Sequence, residues 1–255
     1  MRKSNKPMRI SALLLTLVLV TSCFVGGTFA KYTTSGEGKD SARVAKWGVK
    51  VTATGTTFAK GYNEGGSASE ENITGTIVNS DEKVVAPGTK GTMAAVTIDG
   101  NPEVAVKVSN EAIVSLTGNW SVTSGVKKEF YCPLKFTVTY GDGTTNAEIN
   151  GLEYTQAADL QNAIAEAVKV ASAEFKPGEL SLNSSKANVT IGWEWPFEGA
   201  TQVVTAAGEA RTQDNTKDTV LGNKADTTNT ADGGVPTISL TVTTKVEQIN
   251  KAPTP

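Results

Sequence analysis

Histidine is absent from all 255 residues. That excludes Ser-His-Asp and Cys-His catalysis, and histidine-based zinc sites such as H-E-x-x-H. Cysteine occurs only as Cys23 and Cys132, too few for a disulfide framework. Cys132 sits in the apolar run Phe130-Tyr131-Cys132-Pro133-Leu134. It reads as a buried small hydrophobe, with a redox or intermolecular thiol as the alternative. There is no basic excess, since 24 Lys and Arg face 26 Asp and Glu, so the chain has no electrostatic footprint for nucleic acid. The longest apolar run, Ser11–Val25, falls short of the ~20 residues of a spanning helix. No period of about 20–50 residues repeats, which removes solenoids and propellers. No paired-acid motif and no phosphate-binding glycine loop stand out. The expectation is a protein with no catalytic residue, no metal and no cofactor, hence not an enzyme.

What is present is most specific at the N-terminus. Arg2, Lys3, Lys6 and Arg9 form a basic head, Ser11–Val25 is rich in Leu and Val, and Gly26-Gly27-Thr28-Phe29-Ala30 follows. This is the layout of a secretory signal peptide over residues 1–30, with cleavage between Ala30 and Lys31. The same stretch read as an uncleaved anchor is short for a bilayer. Val20-Thr21-Ser22-Cys23 also fits a permissive lipoprotein box, in which Cys23 is acylated instead. Both cuts imply export, to the extracellular matrix or the cell surface. Removing residues 1–30 takes four of the 24 basic residues and no acid, leaving 20 against 26, a net −6.

Residues 31–43 are polar and contain Gly36 and Gly38, as a mobile segment does. From Ala45 the pattern alternates, with Ala45, Trp47, Val49 and Val51 on one face of a half-buried strand. Further short runs cover Gly91–Ile98, Glu103–Val108, Ile113–Val122, Leu134–Tyr140 and Val189–Trp195, and the last strand is Thr237–Ile249. Asp99-Gly100-Asn101-Pro102, Ser109-Asn110 and Asp142-Gly143 punctuate them. Only 154–174 has helical period, with Leu160, Ile164, Ala167, Val168 and Ala171 in one stripe, Thr155 as N-cap and Pro177-Gly178 as terminator. Residues 199–234, rich in Thr, Asn, Asp and Gly, read as one long loop, and 251–255 as a tail without a wall-sorting motif. The predicted fold is all-β: a single antiparallel, jelly-roll-like β-sandwich over 44–250 with one inserted amphipathic helix near 155–174.

Three further constellations each admit two readings. Asp214 and Asp218, with Asp226 and Asp232 beyond, offer oxygen ligands for calcium but lack EF-hand spacing, and read as a solvated loop. Trp193 and Trp195, two residues apart, share one strand face and read as core, with sugar stacking as the alternative. Asn72, Asn183 and Asn188 open glycosylation triplets that are common by chance.

Gly26–Tyr32 and Ser41–Val49 resemble the N-terminus of the TasA/camelysin-like family of Gram-positive secreted proteins. Val85–Gly91, Gly100–Val104, Ile191–Phe197 and Asp218–Asn223 are similar to its later regions. The resemblance implies a jelly-roll subunit of extracellular biofilm fibres, cut by a dedicated signal peptidase and meeting accessory matrix proteins. It also implies that the freed N-terminus adds a strand to the next subunit, giving a head-to-tail homo-oligomer. Carried onto this chain, the donor is Lys31, Tyr32, Thr33, Thr34 and Ser35, with Gly36 and Gly38 as hinge. Some family members are recorded as metalloproteases; the missing histidines argue against that activity here. A surface-held, lipid-anchored β-sandwich binding module is the competing expectation.

Overall fold

The computed structural model describes residues 42–53, 55–63, 65–69, 83–124, 126–141, 146–178, 187–197, 202–225 and 233–250. Residues 44–255 form one compact unit; the other, 1–43, lies almost wholly outside the described residues.

Among the described residues twelve strands and two α-helices follow in chain order. They are β1 (Lys50–Ala53), β2 (Lys90–Asp99), β3 (Val106–Thr117), β4 (Ser121–Ser124), β5 (Lys127–Phe130), β6 (Lys135–Tyr140) and β7 (Asn146–Asn150). Then come α1 (Ala157–Lys169), β8 (Ala173–Phe175), β9 (Val189–Glu194), β10 (Val203–Val204), β11 (Ala210–Arg211), α2 (Asn215–Asn223) and β12 (Thr237–Gln248). An antiparallel five-stranded sheet runs β1-β2-β9-β6-β7, and a three-stranded sheet runs β12-β3-β8. Two hairpins, β4-β5 and β10-β11, lie beside them. The fold is therefore a mainly-β, jelly-roll-like sandwich with an inserted helix.

Period-two patterning fills the core, because alternate side chains of a strand point to one face. Phe136 and Val138 of β6 and Ile191 and Trp193 of β9 meet Ala112, Val114 and Leu116 of β3 in one buried cluster. Trp195 is buried with them, so both tryptophans belong to the core and neither ring is free to stack on a sugar. Helix α1 buries Leu160, Ile164 and Val168, spaced four apart as one helical stripe demands. Asp159 in its first turn and Lys169 in its last complement the helix dipole.

Four expectations need correction. The first strand is β1 alone; Trp47 and Val51 are 41% and 43% exposed. Gly48 has φ +55, a left-handed turn that ends any extended run there, and β1 pairs on one side only. Second, Ser109-Asn110 does not break the chain, and β3 passes straight through it. Asn110 is tolerated inside the sandwich because its polar atoms are satisfied. Its side-chain nitrogen donates to Ala187 O at 2.8 Å, and its oxygen accepts from Thr244 Oγ1 at 2.5 Å. Strand β3 then ends at Thr117, and Gly118, at φ +76, turns the chain toward β4. Third, the helix is shorter than its pattern: Gln156, not Thr155, is the N-cap, and 173–175 leave the helix to pair with β3 as β8.

Fourth, 199–234 is not one solvated loop. It contains β10, β11 and α2, anchored by buried Leu221, Arg211 and Asp218. Asp214 Oδ1 caps α2 by accepting from Thr216 N at 2.7 Å. Asp218 accepts from Tyr131 OH at 2.7 Å and from Gln213 Nε2 at 2.9 Å. Both carboxylates thus have internal partners, and Asp226 and Asp232 lie outside the described residues.

Cys132 is fully buried, and burial pushes its thiol from 9.0 up to about 12. Burial, and then the bond to the Asp218 carboxylate, also raise Tyr131 well above the usual phenol range. Both groups hold their protons more tightly folded than unfolded. Their contribution to stability is complete below the unfolded values and is lost as pH rises. Thermal midpoints are therefore expected to hold steady to about pH 9 and to fall progressively from there to about pH 12. A flat profile across that window would contradict the buried placement.

Candidate assembly interface

Strand β12 pairs with β3 through twelve consecutive positions without a register shift, from Thr237↔Thr117 to Gln248↔Val106. In an antiparallel ladder the N–H and C=O of one residue point to the same side, and successive residues alternate sides. The side can be fixed from β3. Val114 O accepts from Gln161 Nε2 of α1 at 2.9 Å, and Asn110 N donates to Ser172 Oγ at 2.9 Å. Even-numbered groups of β3 therefore face α1 and β8, and odd-numbered ones face β12. Opposite them, odd-numbered residues of β12 bond to β3, a phase continued by Ile249 N donating to Ala105 O at 2.9 Å. The N–H and C=O groups of Ile238, Leu240, Val242, Thr244, Val246 and Gln248 consequently point away from β3. No strand among the described residues pairs with that side.

Among the described residues the edge also lacks most of the features that usually protect one, Lys245 apart. Within 237–248 there is no proline, and the Thr, Val and Ile residues favour an extended strand. Lys245 and Glu247, the two charges, pair with each other at 2.6 Å. By contrast, the exposed side of β2 is covered: Lys90 N donates to Gly66 O, Ala68 N to Lys90 O and Thr92 N to Thr56 O, at 2.7, 2.8 and 3.2 Å. The sheets' other outer strands are much shorter, four residues in β1, five in β7 and three in β8.

Side chains tell the same story. Ile238, Val242 and Val246 turn inward yet stay half-buried, while Val106, Val108 and Val114 of the adjacent β3 are buried. A strand lying beside β12 would cover them.

Cys23, Ala30, Lys31, Tyr32, Thr33, Thr34, Ser35, Gly36 and Gly38 all lie outside the described residues. The chain enters the sandwich at Lys46, whose N donates to Glu103 Oε2 at 2.8 Å and whose O accepts from Glu103 N at 2.9 Å. Among the described residues no group of three or more Cys, Asp or Glu is placed to hold a metal ion, and no helix is long and apolar enough to cross a membrane. The β12 edge was missed because sequence patterning marks a strand but not whether it has a neighbour. Its length and freedom from proline were the only available signals. No protein-family model and no curated protein matches this chain.

Proposed function

We propose that this chain is a secreted, non-enzymatic structural subunit of extracellular fibres, and that Lys31–Ser35, in the 31–43 segment of one copy, adds as a strand to β12 of the next. The observation that carries the reading is the twelve-residue β12 edge, unpaired on its outer side among the described residues. An added strand satisfies its outward N–H and C=O groups and covers its half-buried side chains. Residues 31–43 span roughly 40 Å when extended, so Lys31–Ser35 can reach β12 of a neighbour beyond the Gly36 and Gly38 hinge.

Donor and acceptor are different surfaces of one molecule, so the contact is heterologous and propagates as a filament. Cleavage at Ala30 then sets the timing, because the signal peptide holds the donor at the membrane until it is cut. Acylation of Cys23 would instead hold the sandwich at the cell surface.

The test is electron microscopy of protein beginning at Lys31 beside protein beginning at Ala42. Filaments are expected from the first and monomers from the second. Filaments from both, or monomers from both at high concentration, would reject the donor assignment. Mass spectrometry of the secreted N-terminus separates a free Lys31 from a diacylated Cys23.

A further inference from the structure

The outer face of the five-stranded sheet holds a groove of about 910 Å³. Register fixes its floor. Lys90, Glu194, Lys135 and Asn150 lie side by side across β2, β9, β6 and β7, and Thr92, Gly192, Thr137 and Glu148 form the next row. Their neighbours Phe136, Trp193 and Ile149 point into the core, so these two rows face outward.

Gly192 lies at the centre. Glycine weakens a strand interior and often marks a place where a ligand or another backbone comes close. Nothing among the described residues calls for it here. Its φ is not in the left-handed region, and an added Cβ would meet nothing nearer than 3.9 Å. What the missing side chain provides is an open trough between Thr92 and Thr137.

The groove's chemistry narrows the ligand. Lys90, Lys135, Glu148 and Glu194 balance in charge, and none of them makes an ion pair among the described residues. Glu153 adds a third carboxylate at the rim. A polyanion would meet three carboxylates, and a polycation two ammonium groups. A peptide strand would find no free backbone, because the N–H and C=O groups of a sheet interior are spent in its ladder. A ligand rich in hydroxyls, each able to donate and accept, suits closely spaced ammonium, carboxylate, hydroxyl and amide groups. We propose that this groove binds a neutral polysaccharide, held by hydrogen bonds and not by aromatic stacking. The proposal is independent of how the subunits assemble.

The test is affinity electrophoresis of the secreted protein through gels containing a soluble glucan, mannan or galactan, with alginate and chitosan gels as charged counterparts. Retardation by at least one neutral polymer is expected, and none by the charged two. Gly192→Val puts a strand-favouring side chain into the trough, its Cβ no nearer than 3.9 Å to any neighbour. It is expected to keep the wild-type circular dichroism and thermal midpoint while binding about tenfold or more weakly, through steric exclusion. Retardation by alginate or chitosan alone, by no polymer, or equally for wild type and a folded Gly192→Val would overturn the proposal.

Discussion

Val242→Pro is expected to leave the folded subunit intact and to raise the concentration needed for filament growth about a hundredfold, as the loss of roughly 3 kcal/mol per contact would do. Val242 N–H points away from β3, so proline there removes no bond of the β12–β3 ladder; such positions are where edge strands accept proline. The ring does occupy the place where a donor strand's carbonyl would approach. Thr241→Pro, one residue earlier, is the contrasting variant. Thr241 faces Ile113 across the ladder, so proline removes a bond inside the sheet and its ring meets β3. That variant is expected to lose about 3 kcal/mol or more of folding stability. Circular dichroism and denaturant titration score the fold, and sedimentation scores assembly. Filaments of Val242→Pro at the wild-type concentration would remove β12 as acceptor. If both variants unfolded alike, the assignment of outward and inward groups would be wrong.

The same alternation explains what the sequence could and could not reveal. Leu134–Tyr140, Val189–Trp195 and Thr237–Ile249 were legible because each alternates against one buried face, and α1 because Leu160, Ile164 and Val168 repeat at helical spacing. Strand β8 was not legible: it is three residues long and exists because β3 offers Val106–Val108 as a partner. Helix α2 was hidden by its Thr, Asn and Asp content, since only Asp218 and Leu221 are buried in it. Asp218 is an unusual inward residue, held by Tyr131 from a distant part of the chain. The alternation over 45–51 misled because an edge position leaves both faces of a short strand partly wet. Whether β12 has one neighbour or two is a property of the assembled sheets, and period-two patterning is silent on it. The expected donor and cleavage residues stand on N-terminal patterning and the family resemblance alone.

Trp193→Ala is expected to cost about 3–5 kcal/mol, a large share of a typical stability of roughly 5–15 kcal/mol. At this chain length that corresponds to a fall in Tm of about 6–20 °C. The indole does more than fill space. It stacks on Phe58 with ring centroids 5.5 Å apart and meets Tyr62 edge-on at 6.3 Å. Its Nε1–H donates to Thr57 O at 2.6 Å. Gly91, opposite Trp193 in the register, lets that backbone close in, since a Cβ there would lie 2.0 Å from Thr57 O. Together these contacts pin residues 56–62 beside β2, where Thr56 O accepts from Thr92 N. Removing the indole therefore loosens the segment that covers one sheet edge as well as opening a cavity. Loss of cover should appear as a second phenotype, concentration-dependent aggregation that does not need residues 31–41. Trp193→Phe separates the two contributions: it keeps most of the apolar contact, forfeits the bond to Thr57, and should cost only about 1–2 kcal/mol. Denaturant titration of both variants decides the matter. Equal losses for Ala and Phe would assign the stability to the Thr57 hydrogen bond, while a wild-type midpoint for Trp193→Ala would contradict the packing of 56–62 on this ring.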